Sequence, residues 1–309
     1  MIRVTTDMAL LRLAAALVLA PLLFGVIART QALFAGRKGP PLLQMYFDIA
    51  KLMRKGAAIS RTTTWVFRLG PIVGLACVAT GCLLLPFAGF PALISFPGDF
   101  VVLTALLALM RFVTVSAALD TGSSFEGMGA SRDVQFSALA EPALLVSFAV
   151  LARQTSALSM SDMFGQVSAI FWHQAAPSFI LVLAALFIVF LAENARIPFD
   201  DPNTHLELTM VHEVMVLDHS GPDFAFILYG SAIKLFLFAS LLVHILAPVP
   251  AGLAGLPVLL LGVLLVAIAV GIVESITARL RLLRVPQFLI GASVVAALGL
   301  LMLVFRGSP

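Results

Sequence analysis

Hydrophobic and polar positions in this chain fall into long blocks rather than short periods. Eight apolar runs, Met8–Ile27, Gly70–Phe90, Phe100–Leu119, Ala138–Leu151, Ala175–Ala192, Phe224–Leu246, Leu256–Val273 and Phe288–Phe305, approach the roughly 20 residues that carry a helix across a bilayer. The fourth is short and has Glu141 and Pro142 at its start. The pattern predicts an all-α polytopic membrane protein, a bundle of about eight transmembrane helices forming a single domain over residues 1–309. No internal repeat or soluble domain boundary is visible. A basic segment follows the first run where a signal peptide would have a cleavage site, so that run is expected to stay as a span.

Two polar segments stand out between the runs. Glu193–Asp223 holds seven of the sixteen acidic residues and three of the five histidines, interleaved with Leu, Met and Val. A solvated linker would be rich in Gly, Ser and mixed charge; this one is patterned to fold against something. In the first long loop, Gln44, Asp48, Lys51 and Lys55 recur at helical spacing and share one face, while the remainder is largely apolar. That is the pattern of an interfacial amphipathic helix. It serves either as a surface anchor or as one wall of a site beside the acidic stretch.

Composition and charge sharpen this picture. Hydrophobic residues make up 61% and charged residues 11%, against about a quarter charged in soluble proteins, and the mean hydropathy is +1.08. Lys and Arg concentrate in cytoplasmic loops. The loops after spans one, three, five and seven carry thirteen of them, against Arg153 alone after spans two, four and six. Both termini are therefore expected outside the cytoplasm of a bacterial inner membrane, with the acidic stretch inside. The pI of 9.2 follows from this topology and gives no support to nucleic-acid binding.

Conventional catalytic signatures are missing. Cys77 and Cys82 lie within one apolar run and read as small helix residues. His212-Glu213 begins like a zinc-protease motif, but Val216 stands where the second His belongs. There is no nucleophile with an oriented base, no phosphate-binding glycine loop and no metal-ligand set.

Ionisable residues at or inside the spans carry more information, because charge in hydrocarbon needs a partner or a polar cavity. In the inferred orientation Asp120, Glu141, Glu193 and Glu274 lie near cytoplasmic span ends, with Arg111 and Lys234 near mid-depth. They suggest a polar funnel with carboxylates above and two cations at its base. Burial and neighbouring charge move carboxylate affinity for protons in opposite directions, which suits such a set to a proton pathway.

The segment ENARIPFDDPNTHLEL resembles the signature of the membrane protein family typified by subunit 1 of respiratory complex I. The likeness extends to the homologous membrane subunits of group 4 nickel–iron hydrogenases, formate hydrogenlyase subunit 4 and its hydrogenase-4 counterpart. GRKGPPLLQMYFDIAKLMRKG, LDTGSSFEGMGASRD, DHSG and ESITARLRL match further family segments, so the resemblance runs from about Arg37 to Leu282. It implies a subunit without a redox centre of its own, which docks a hydrophilic arm carrying iron–sulfur clusters and, in hydrogenases, a nickel–iron site. It also implies antiporter-like membrane neighbours and a link from electron transfer to proton translocation. By motif, Glu193, Arg196, Asp200 and Glu207 are acidic-loop residues, Asp48 belongs to the first-loop helix and Glu141 is the fourth-span carboxylate. Asp48, Arg196, Asp200, Asp201, Glu207 and Asp218 form the expected docking or quinone-chamber-like surface.

Departures from the family pattern bear on the ligand. Asn203 and His205 stand where the complex I relatives are acidic, which favours the hydrogenase-like branch and leaves quinone open. His205, His212 and His219 recur every seven residues, as either a proton relay or ordinary interface residues. A quinone-chamber subunit of an NADH:quinone oxidoreductase is the alternative. A secondary transporter would be expected to show inverted repeats or paired broken helices, and a pure anchor would need no Arg111 or Lys234 in the bilayer.

Overall fold

The computed structural model describes residues 3–4, 9–167, 169–200, 210–250 and 254–305. Eleven α-helices are assigned: α1 Ala9–Leu19, α2 Leu22–Phe34, α3 Gln44–Met53, α4 Trp65–Leu84, α5 Asp99–Asp120, α6 Ser124–Thr155, α7 Met160–Gly165, α8 Ala169–Glu193, α9 Gly221–Leu246, α10 Gly255–Ile276 and α11 Val285–Phe305. Two-residue strands β1 Arg3–Val4 and β2 Ile94–Ser95 pair antiparallel. Among the described residues, eight segments are long and apolar enough to cross a membrane, so the expected all-α, multi-pass architecture holds. α9 is the central helix, 72% of its apolar window being buried within the chain, against 28–44% for the other seven spans. Exposed aliphatic faces on α5, α10 and α11 are what a bilayer would cover.

The expected boundaries change at two places. The first span runs from Leu13 to Phe34 and is broken where α1 gives way to α2 at Pro21. Proline has no N–H, so the Leu17 carbonyl loses its intrahelical donor. The chain has two tyrosines, and both serve this break. The Tyr229 hydroxyl donates to the Leu17 carbonyl at 3.0 Å, and the Tyr46 hydroxyl donates to that of Val18. Tyr229→Phe, which returns one carbonyl to an unpaired state, is expected to destabilise the bundle by about 1 kcal/mol. Unfolding in detergent with increasing denaturant would register this, and an unchanged midpoint would refute it.

The fourth span is the larger correction. The expected Ala138–Leu151 core is part of a 32-residue helix, Ser124–Thr155, with Glu141 and Pro142 in its interior rather than at its start. Its first half is polar, and the polar side chains on its inner side are paired within the chain. Glu126 is buried and accepts from the Asp218 backbone N–H at 3.1 Å, while Arg132 donates to the Met210 carbonyl at 3.0 Å. Gly129 sits so close to Val211 and Val214 that any side chain there would collide. The acidic segment thus supplies the partners that let a polar helix continue into the bundle.

α3 is amphipathic, as expected. Gln44 donates to Asp48 at 3.0 Å on its half-buried side, while Leu43 and Phe47 remain exposed. A side chain at Gly25 would overlap the Leu42 carbonyl, so α3 is set directly against α2.

Candidate functional site

Four helices converge on one charged cluster. From the middle of α5, Arg111 reaches Glu193 at the end of α8 (2.5 Å) and, on α6, Glu141 (3.1 Å) and Asp133 (3.4 Å). Lys234, midway along α9, meets the other Glu193 oxygen at 2.9 Å. Glu193 closes α8, where the helix dipole is unfavourable to a carboxylate, and two cations offset that. Its side chain is 4% exposed, whereas that of Glu141 is 41% exposed. The cluster therefore runs from a buried carboxylate at its centre to a partly exposed one on α6.

Because Glu193 pairs with the middles of α5 and α9, α8 stops short and the acidic segment turns back into the bundle. This differs from the expected funnel, in which carboxylates lay above the cations; Glu141 and Glu193 are level with Arg111 and Lys234. A second buried pair lies beyond the turn. Arg196 Nη1 is 3.7 Å from Glu274, Gln31 Nε2 donates to Glu274 at 2.6 Å, and the Arg196 guanidinium lies 4.4 Å over the Phe24 ring.

Not every candidate joins these pairs. Asp120 accepts from the Thr64 N–H and hydroxyl at 2.6–3.0 Å and from the Phe67 N–H at 3.3 Å, anchoring the start of α4. Asp200 is buried; one oxygen meets Arg279 at 2.9 Å, and the other accepts from the Val211 and His212 N–H groups. Its carboxylate thus ties Arg279 to the turn at His212. Asp48 is half-buried against Gln44, and Asp218 is exposed. Asp201, His205 and Glu207 lie outside the described residues. Asp133 and Gln31 belong to the buried network but escaped sequence reasoning. Asp133 could have been found only by extending the fourth span into its polar half.

The histidines are not aligned along one helix: the described part of the segment holds only a short 3₁₀ turn, Glu213–Val216. His219 stacks on Phe67, ring centroids 3.9 Å apart, and burial pushes it down to about 4, which leaves it neutral at pH 7. His212 is also lowered by burial, against the pull of Asp133 and Asp200. It stands between two spaces. One, of about 30 Å³, is lined by Arg111, Asp133, Glu193 and His212, and is large enough for a water. The other, of about 450 Å³, is bounded by Phe24, Met110, Phe224 and Leu228 on its apolar side and by Glu193, Arg196, His212 and Lys234 on its polar side. Small molecules of mixed polarity are held in spaces of this kind.

Residues 7–305 match the model of the NADH dehydrogenase family. The chain belongs to that family. Within it, the chain is 32% identical to hydrogenase-4 component C of Escherichia coli K12 over 277 residues, 87% of this chain and 86% of that protein. It is 31% identical to formate hydrogenlyase subunit 4 of the same organism over 276 residues, 87% and 89% of the two chains. The resemblance drawn from the ENARIPFDDP segment is thereby borne out. The fold matches a chain in the structure of the membrane-bound sulfane sulfur reductase, an archaeal respiratory membrane complex, with a TM-score of 0.81 at 20% identity, covering 96% of this chain and 98% of that one.

Proposed function

We propose that this chain is the membrane-anchoring and proton-coupling subunit of a multisubunit redox complex of the hydrogenase-4 and formate hydrogenlyase type. The observation that carries this reading is the run of ion pairs from the cavity wall, at Lys234 and Glu193, through Arg111 to the laterally exposed Glu141. With Asp133, three carboxylates face two cations in that run, so one carboxylate has no countercharge of its own and is the place for a mobile proton. Redox chemistry in a docked hydrophilic arm, through iron–sulfur clusters and a nickel–iron site held by that arm, acts on the cavity side. The proton or the charge change passes toward Glu141 and on to antiporter-like membrane neighbours. Asp218 and α3 contribute to the docking surface, and the chain lies in the bacterial inner membrane with both termini outside the cytoplasm.

The 450 Å³ cavity favours a second reading, in which a quinone headgroup enters from its apolar side and the complex is an NADH:quinone oxidoreductase. Proteoliposomes containing the intact complex separate the two. On the first reading Glu141→Gln lowers proton uptake per electron pair at least about tenfold, consistent with loss of a positioned proton-transfer group, while hydrogen or dye turnover persists without added quinone. Unchanged proton uptake would remove Glu141 from the path, and turnover that requires quinone would establish the second reading.

A further inference from the structure

Three titratable residues, Glu193, Asp200 and His212, line both the 450 Å³ cavity and the 30 Å³ space beside Asp133. Two of them are occupied. Glu193 holds Arg111 at 2.5 Å and Lys234 at 2.9 Å, while Asp200 holds Arg279 at 2.9 Å and accepts from the Val211 and His212 N–H groups. His212 differs. Its backbone N–H, 2.9 Å from Asp200, fixes where the residue stands, yet its ring nitrogens have no hydrogen-bond partner among the described residues. Burial is the largest influence on the ring and lowers its proton affinity. Asp133 of α6 and Asp200 act the other way, and Lys234 of α9 and Arg111 of α5 add to the lowering. Glu193, Arg196 and Glu213 are the remaining charged residues of the two linings. An imidazole in this setting rests neutral at pH 7 and takes a proton only in passing. His219 cannot serve in its place, because it lines the large cavity alone and is stacked on Phe67.

We infer that His212 is a proton relay between the two spaces, accepting a proton from the large cavity on one ring nitrogen and releasing one from the other, through water in the small space, to Asp133. The small space suits that water. Its volume of about 30 Å³ exceeds the roughly 10–15 Å³ that one water needs, and Arg111, Asp133 and Glu193 supply polar partners. One proton enters the ring and one leaves, so the imidazole ends neutral in its other tautomer and resets by exchange with water. Only N–H and O–H bonds change. Asp133 lies 3.4 Å from Arg111, which joins it to Glu141 at 3.1 Å, so the proton arrives in the cluster while Glu193 stays an ion pair. The relay rests on the coupling function proposed above and supplies its entry step.

The test measures the initial rate of membrane-potential formation by the intact complex in proteoliposomes, divided by hydrogen or dye turnover. His212→Gln keeps a polar side chain that does not titrate, and is expected to lower this ratio at least about tenfold. His212→Ala opens room beside the large cavity. Imidazole added to that variant should restore most of the ratio, whereas pyrazole, a ring of the same size and far weaker basicity, should not. Membrane potential is read because a permeant base does not collapse it. The alanine variant carries the test alone if His212→Gln fails to assemble. A full ratio in assembled His212→Gln, recovery with pyrazole, or no recovery with imidazole would overturn the relay and make His212 a packing residue. Glu141→Gln is measured alongside. A fall there with His212→Gln unaffected removes the relay alone, whereas unaffected ratios in both remove the functional reading as well.

Discussion

Arg111→Met is expected to destabilise the membrane domain by about 3–5 kcal/mol, the range for removing one partner of a buried charge network. Arg111 is the only group that touches Asp133, Glu141 and Glu193 together among the described residues, and its side chain is 11% exposed. Without it, Lys234 is left as the one cation of the cluster for three carboxylates. Methionine retains much of the volume, so the loss reports charge rather than packing. In the double variant Arg111→Met/Glu193→Gln the second change should cost less than it does alone, because the Arg111–Glu193 contact is already lost and only the Lys234 contact remains to be broken. A double-mutant cycle on the detergent-solubilised complex, read by denaturant unfolding, should give a coupling energy of about 2 kcal/mol between the two positions. Additive effects would mean that the cluster is not an energetic unit.

The two halves of the chain's information were unequally visible in its sequence. Span number and order are readable because each span needs an apolar block, and all eight provide one, the fourth only over its second half. The polar half of α6 does not. Glu126, Arg132 and Asp133 resemble loop residues until the acidic segment is present to satisfy the first two and Arg111 of α5 to satisfy the third. For the same reason Glu141 reads as a residue at a span end, although it lies inside a 32-residue helix. The run Met8–Ile27 reads as one unbroken span, and the break at Pro21, with Tyr46 and Tyr229 brought to the carbonyls there, belongs to the folded chain.

The cluster was legible as a set of costly charges and illegible as a network. Arg111, Lys234 and Glu193 stand out because hydrocarbon disfavours each of them alone. Which carboxylate each cation meets depends on helix rotation and depth, and neither is encoded in local spacing. Asp120 and Asp200 illustrate the converse. Both are carboxylates in suggestive positions, yet one holds the start of α4 and the other fastens Arg279 and the turn at His212. An acidic residue at a span end looks the same in sequence whether it moves protons or holds a helix in place.

Glu193 bridges Arg111 and Lys234, and the proposed coupling runs through it. Glu193→Gln keeps the side-chain size and its capacity to accept hydrogen bonds while removing the negative charge that links the two cations, the relay between the cavity wall and Glu141. The most direct measurement is the number of protons translocated per electron pair by the intact complex in proteoliposomes, wild type against Glu193→Gln, with hydrogen or dye turnover recorded in the same preparation. The account predicts an assembled complex whose turnover without a membrane gradient is retained and whose proton translocation falls at least about a hundredfold, the scale of losing a positioned proton-transfer group. Full proton stoichiometry in an assembled Glu193→Gln complex would contradict it.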